Sequence, residues 1–154
     1  MRKSDWIKSI QKKKRGLIRE LFIQARQLEG SLNLSDFANL EELNCQNNQI
    51  DKLYLSACRK LKIVNCSSNR LTKLELGECP ELIKIDSSYN QLTSFDISNC
   101  SNLERLEYHN NYLTELDFLD RLNPEKLIFL SLAGNNFPVQ ELKVFGRFQK
   151  LKEL

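Results

Sequence analysis

Apolar and polar positions along this chain recur together at one fixed step. Leu40, Leu61, Leu82 and Leu103 lie 21 residues apart, and Asn48, Asn69, Asn90 and Asn111 keep the same spacing. Cys58, Cys79 and Cys100 follow it too. The shared pattern, L-x-x-L-x-C-x-x-N-x-L-x-x-L-x-L-x-x-C, reads most cleanly from Leu61 to Cys79. A period this short describes stacked supersecondary units rather than a globule around one central core. It also describes a long ribbed face, which favours binding over chemistry.

The apolar spacing fits neither a helix nor a strand throughout. Leu-x-x-Leu-x-Cys opens with a turn and ends in a period-two stretch. The pattern predicts short strands at Glu42–Gln46, Ile63–Ser67, Lys84–Ser88 and Arg105–His109. Each is too short to be stable alone. Stacked in parallel, each pairs with the same segment of the next unit about 4.8 Å away. The chain must then turn sharply inside the stack, which leaves backbone N–H and C=O groups without strand partners. An asparagine amide supplies two donors and an acceptor oxygen to meet them. The regular offset from the leucines therefore predicts a structural ladder of Asn48, Asn69, Asn90, Asn111 and Asn135.

These residues resemble leucine-rich repeat proteins, of a short type with cysteines at two fixed positions, as in Leu61 through Leu71 (LKIVNCSSNRL). Closely similar arrays occur in fungal and bacterial leucine-rich repeat proteins. The closing stretch, Asn123-Pro124-Glu125-Lys126-Leu127 through Asn135-Asn136-Phe137-Pro138, looks most like the fungal group. The resemblance covers roughly residues 18–154. It implies an α/β solenoid: a right-handed superhelix with a parallel β-sheet on its concave side, turns and extended segments on its convex side, and protein binding as its use.

About six coils follow from the pattern. A degenerate first coil runs from Ile18, with Arg26 where asparagine is expected, so its turn should be irregular. Coils then start at Leu40, Leu61, Leu82, Leu103 and Leu127, and Leu151 opens a sixth restart cut off at Leu154. The last two coils run 24 residues each, and their extra length should lie on the convex side. After Pro138, Val139, Leu142, Phe145 and Phe148 recur every three residues, which suggests a short helical or 3₁₀ segment. The chain's early end predicts a truncated product or an edge covered by another chain, with edge-mediated self-association open.

Residues 1–17 differ in character. The first twenty residues carry a net charge of +6, against −3 for the rest. Ser4 can cap a helix that places Trp6, Ile10 and Leu17 near one face, which predicts a helical cap over the first coil. The basic run Gln11-Lys12-Lys13-Lys14-Arg15 supports a second reading, contact with nucleic acid or an acidic surface. It lacks the interleaved aromatic residues that stack bases, which makes nucleic-acid binding the weaker reading.

The composition bounds the rest. At 154 residues this is one domain, able to bury about two-thirds of its unfolded surface. No apolar run approaches the roughly 18 residues of a membrane span. No apolar segment follows the basic start, so no secretory signal is expected, and Asp5 with the lysine-rich start argues against a mitochondrial presequence. Cytoplasmic, or else nuclear, residence follows. The five cysteines fall in slots where the family places buried residues. Their odd count favours reduced structural thiols, and without close C-x-x-C pairs neither zinc nor any other cofactor is expected.

Chemistry has few candidates. His109, the one histidine, sits beside Arg105 and Glu107 at a strand end, and no nucleophile motif or phosphate loop occurs, so the chain is read as non-catalytic. Strand alternation instead turns one set of side chains outward. It runs Glu42, Asn44, Gln46; Ile63, Asn65, Ser67; Lys84, Asp86, Ser88; Arg105, Glu107, His109; Phe129, Ser131, Ala133. Its middle column is wholly polar and acidic toward the centre. The contact candidates are Asn44, Asn65, Asp86, Tyr89, Arg105, Glu107 and His109. The function expected is a protein-recognition module for an unidentified protein partner. The alternatives are an adaptor or regulatory fragment of a larger signalling protein and a scaffold without a partner.

Overall fold

The computed structural model describes residues 12–138 and 142–152. Nine strands run through them: β1 (Glu20–Phe22), β2 (Glu29–Asn33), β3 (Glu42–Asn44), β4 (Gln49–Tyr54), β5 (Ile63–Asn65), β6 (Lys73–Glu75), β7 (Lys84–Asp86), β8 (Arg105–Glu107) and β9 (Phe129–Ser131). Six of them form one parallel sheet in the order β1-β3-β5-β7-β8-β9, and β2-β4-β6 form a second. The chain is thus a parallel-strand solenoid of about five turns, each pass laying a strand beside the previous one.

Register is uniform along the main sheet. Glu42 pairs with Ile63, Ile63 with Lys84, Lys84 with Arg105 and Arg105 with Phe129. The inward residues of these strands, Leu43, Val64, Ile85, Leu106 and Leu130, are fully buried. So are the leucines that open the coils, Leu40, Leu61, Leu82 and Leu127. Each such side chain contributes roughly 1.5–3 kcal/mol on burial, and stacking makes one continuous core from units that could not close alone.

The strands start where the pattern places them but stop two residues early. In three of the four, the last residue explains the stop. The side-chain Oδ1 of Asn44, Asn65 and Asp86 accepts the N–H two residues on, from Gln46, Ser67 and Ser88 at 3.2, 3.1 and 3.0 Å. A side-chain acceptor offered this close to the backbone competes with the ladder and ends it.

The asparagines then carry the bend. Asn90 accepts the N–H of Leu71 at 2.9 Å and donates to the carbonyls of Cys66, Ser87 and Ser88, each at 3.1 Å. One amide therefore ties two coils together. Asn69, Asn111 and Asn135 repeat the arrangement, accepting from Ile50, Leu92 and Leu113. The residue before each ladder asparagine has left-handed backbone: Asn47, Ser68, Tyr89, Asn110 and Gly134, with φ from 53° to 67°. In the first coil, where Arg26 replaces asparagine, both Ala25 and Gln27 take positive φ. There Asn48 of the next coil accepts two N–H groups, from Arg26 and Leu28.

The second sheet ends at β6 among the described residues, and an aromatic cluster follows it. Tyr108 occupies the slot held by Cys45 and Cys66 in earlier coils, and it is fully buried. Its ring lies 4.3 Å from that of Phe95, its hydroxyl donates to the Ser94 carbonyl at 3.2 Å, and Phe95 meets Phe118 edge-on. Phe118 belongs to a 3₁₀ turn, Asp117–Arg121, in the first of the two longer coils. A second 3₁₀ turn, Leu142–Phe145, falls within the three-residue apolar spacing, and Phe148 after it is buried. Val139 lies outside the described residues.

The expected N-terminal cap lies mostly outside them as well. One helical turn, Lys12–Arg15, is described. The turn is tied to the first coil by Arg15 on Asp36 at 3.1 Å and by the Asn39 amide donating to the Gly16 carbonyl. Leu17, expected on the cap's inward face, is 77% exposed. The helix has ended two residues earlier, so the helical spacing that placed Leu17 inward no longer applies.

Candidate functional site

The outward side of the six-stranded sheet is the candidate, and its geometry follows from parallel register. Identical positions on neighbouring strands align, so side chains form columns across the sheet about 4.8 Å apart. The middle column holds Phe22, Asn44, Asn65, Asp86, Glu107 and Ser131. All but Phe22 are half-buried, and Phe22 is 45% exposed.

The residues expected at the site fall into two groups. Asn44, Asn65 and Asp86 stand on the face, yet one oxygen of each is engaged in ending its strand. Asn65 also donates to the Gln46 side chain at 3.1 Å. The side chains of Glu107, Arg105, His109 and Tyr89 contact other side chains. Glu107 lies 3.4 Å from the Lys84 ammonium. The Arg105 guanidinium covers the Phe129 ring, 4.1 Å from its centroid. His109 places Nδ1 3.3 Å from the Ser131 hydroxyl. The Tyr89 ring meets the His109 imidazole edge-on, with centroids 5.1 Å apart. The structure thus brings Tyr89, His109, Glu107 and Arg105 together on coils four and five, and leaves Asn44 and Asn65 toward the other end.

Two outward assignments are corrected. Ser67 and Ser88 are buried rather than on the face. Their hydroxyls donate to the side-chain Oδ1 of Asn65 and Asp86 at 2.7 and 2.6 Å. One residue was missed: Phe22 extends the middle column into the degenerate first coil. Its place beside Leu21, a buried strand residue, was the available signal.

Beneath the face lie the thiols. All five cysteines are buried and free of disulfides. Burial pushes Cys45, Cys58 and Cys100 up to about 12 and Cys79 to about 11. These are protonated packing groups, remote from the thiolate character that nucleophiles and metal ligands need. Beside the face, Arg19 and Lys62 both pair with Glu41, at 3.0 and 2.8 Å. The hydrogen bond from Lys62 holds the Glu41 carboxyl below its ordinary range.

A groove of about 520 Å³, lined by residues including Leu116, Leu119, Val144 and Arg147, lies on the far-side loops of the longer coils, away from the sheet. Among the described residues, no group of three His, Cys, Asp or Glu side chains converges as a metal site would require, and no helix is long and apolar enough to cross a membrane.

Comparison with known proteins supports the fold. Residues 38–78 match a family model described as leucine rich repeats in two copies. No curated protein matches the chain. Among solved structures, an internalin (InlF) from Listeria monocytogenes aligns with a TM-score of 0.75 at 20% identity, covering 89% of this chain and 40% of that one. A leucine-rich repeat protein from Leptospira interrogans gives 0.67 at 24% identity, covering 82% and 36%. The functional domain of InlJ from Listeria monocytogenes, which includes a cysteine ladder, gives 0.54 at 24%, covering 87% and 38%. At these identities the likeness is one of fold. This chain spans about two-fifths of the length of each, at 40%, 36% and 38%.

Proposed function

Because this chain is a leucine-rich repeat protein, we propose that it is a non-catalytic recognition module that binds a protein partner through the outward side of its six-stranded sheet. Repeats of this kind generally serve as protein-interaction modules. The reading extends to a right-handed superhelix with this sheet on its concave side, and to residence in a reducing compartment, cytoplasmic or nuclear, which five buried free thiols suit.

One observation carries the reading: an exposed tyrosine held in an unfavourable backbone conformation at the edge of a polar face. Tyr89 is 56% exposed with φ of 54°, a region that bulky side chains rarely adopt. The equivalent residues of the other coils are Ala25, Asn47, Ser68, Asn110 and Gly134, all small or asparagine. An exposed aromatic in that place adds little to the fold, whereas aromatic residues are enriched where proteins meet. Beside it, His109, Glu107 and Arg105 offer polar groups in fixed positions on a rigid sheet, which favours complementarity over chemistry.

The test replaces Asp86 and Glu107 together by alanine and measures capture of partners from native extract. The proposal expects an unchanged fold by circular dichroism and lost capture of the proteins that the parent retains. Capture equal to the parent, with the fold intact, would remove this face from consideration.

A further inference from the structure

The first outward column of the six-stranded sheet has an order of charges that its fold does not need. In register it reads Glu20, Glu42, Ile63, Lys84, Arg105 and Phe129. Two carboxylates lie directly opposite each other on adjacent strands, then an isoleucine that is 37% exposed, then two cations directly opposite each other. Like charges in direct cross-strand pairs destabilise a sheet, and the first five positions of the column carry two such pairs. Among the described residues, Glu20 and Glu42 have no ion pair. Lys84 leans on Glu107 of the middle column at 3.4 Å, and Arg105 stacks on Phe129. The neighbouring Arg19 and Lys62 both pair with Glu41 rather than with Glu20 or Glu42.

The five positions from Glu20 to Arg105 are their own complement when turned end for end, and Phe129 beyond them lies under the Arg105 guanidinium. About Ile63 as centre, the acidic positions at one and two strand spacings mirror basic positions at one and two spacings on the other side. That is the self-complementarity a two-fold axis demands, where residue i meets residue j and j meets i. We propose that two copies of this chain pair through this column, antiparallel about an axis at Ile63. Glu42 faces the partner's Lys84, Glu20 faces the partner's Arg105, and the two Ile63 side chains meet at the centre. Pairing relieves both like-charge contacts at once and covers an exposed isoleucine. The column forms one rim of the sheet, so Tyr89 and His109 at the other rim stay open. This inference goes beyond partner recognition, and its test requires no other protein.

The test is sedimentation of the full chain across a concentration series in dilute salt. The parent should show a concentration-dependent dimer that dissociates as salt is raised, because these charges are solvent-accessible. E42K and K84E should each weaken the dimer by about tenfold or more. The double variant E42K/K84E exchanges the two charges within each contact and should recover the parent constant to within about threefold. A mixture of E20K/E42K with K84E/R105E should form a one-to-one pair that neither forms alone. Melting temperatures close to the parent's confirm that each variant is folded. A parent that stays monomeric throughout, a dimer indifferent to salt, or a double variant no better than its singles would each overturn the proposal.

Discussion

The Tyr89 ring stands at 83° to the imidazole of His109, one coil further on, with centroids 5.1 Å apart. Edge-to-face geometry of this kind is favourable for aromatic pairs but small in energy, about 0.5–1.5 kcal/mol. It partly offsets the left-handed backbone at Tyr89, where a side chain with a Cβ costs roughly 1–2 kcal/mol. Asparagine already fills the same slot at positions 47 and 110. Tyr89→Asn should therefore melt no lower than the parent while partner capture falls at least about tenfold, as loss of an interface aromatic implies. A variant that melts several degrees lower yet captures normally would assign Tyr89 to the fold instead.

Asn90 is nearly buried and makes four hydrogen bonds to backbone groups of two coils. Leucine is close to it in size and offers none of them. Asn90→Leu should cost roughly 2 kcal/mol or more, because buried backbone groups are left unpaired. Urea denaturation measures this, and a midpoint equal to the parent's would refute the ladder as a source of stability.

Ser87 presents the opposite case. Its hydroxyl is buried without a hydrogen-bond partner, in the slot that Cys45 and Cys66 fill in the coils before it. A buried orphan hydroxyl destabilises by about 1–3 kcal/mol, so Ser87→Ala should raise stability by about 1 kcal/mol. Ser87→Cys should raise it too, since the thiol suits this slot as a small hydrophobe. Loss of stability in both variants would contradict this account of the slot.

Alkaline pH should weaken the fold. In the folded chain, burial keeps protons on Cys45, Cys58 and Cys100 to about 12 and on Cys79 to about 11, and raises Cys66 and Tyr108 as well. In the unfolded chain the thiols release theirs near 8.5. Between those values the folded state binds more protons, so stability is fully present below about pH 8.5 and falls as pH rises above it. Each thiol contributes up to about 1.4 kcal/mol per pH unit in that window. Urea midpoints under reducing conditions at about pH 7.5 and 9.5 check it. Equal midpoints would mean that the thiols are less enclosed than described.

Much of this was legible because every coil repeats one set of constraints. The 21-residue step, the strand starts at Glu42, Ile63, Lys84 and Arg105, and the buried cysteines all follow from apolar slots that each coil must fill. Strand ends were not legible, because they depend on whether the oxygen of Asn65 or Asp86 rotates toward its own backbone. The same local bonds hold the Ser67 and Ser88 hydroxyls against Asn65 and Asp86, and both serines are buried where simple alternation would leave them exposed. Tyr108 is a bulky residue in a slot that Cys45 and Cys66 fill in earlier coils. Nothing local showed that Ser94 and Phe95, fourteen and thirteen residues earlier, would receive it. The bipolar column was readable once register was known, since its residues from Glu20 to Arg105 lie 21 or 22 apart in the chain.

The central claim is that one side of this solenoid does the binding. Site-specific photocrosslinking in native extract addresses it directly. A photoreactive residue placed at His109, on the six-stranded sheet, should crosslink to partner protein, whereas one at Lys52 on the three-stranded sheet should not. Crosslinks from Lys52 with none from His109 would contradict the assignment of the binding face.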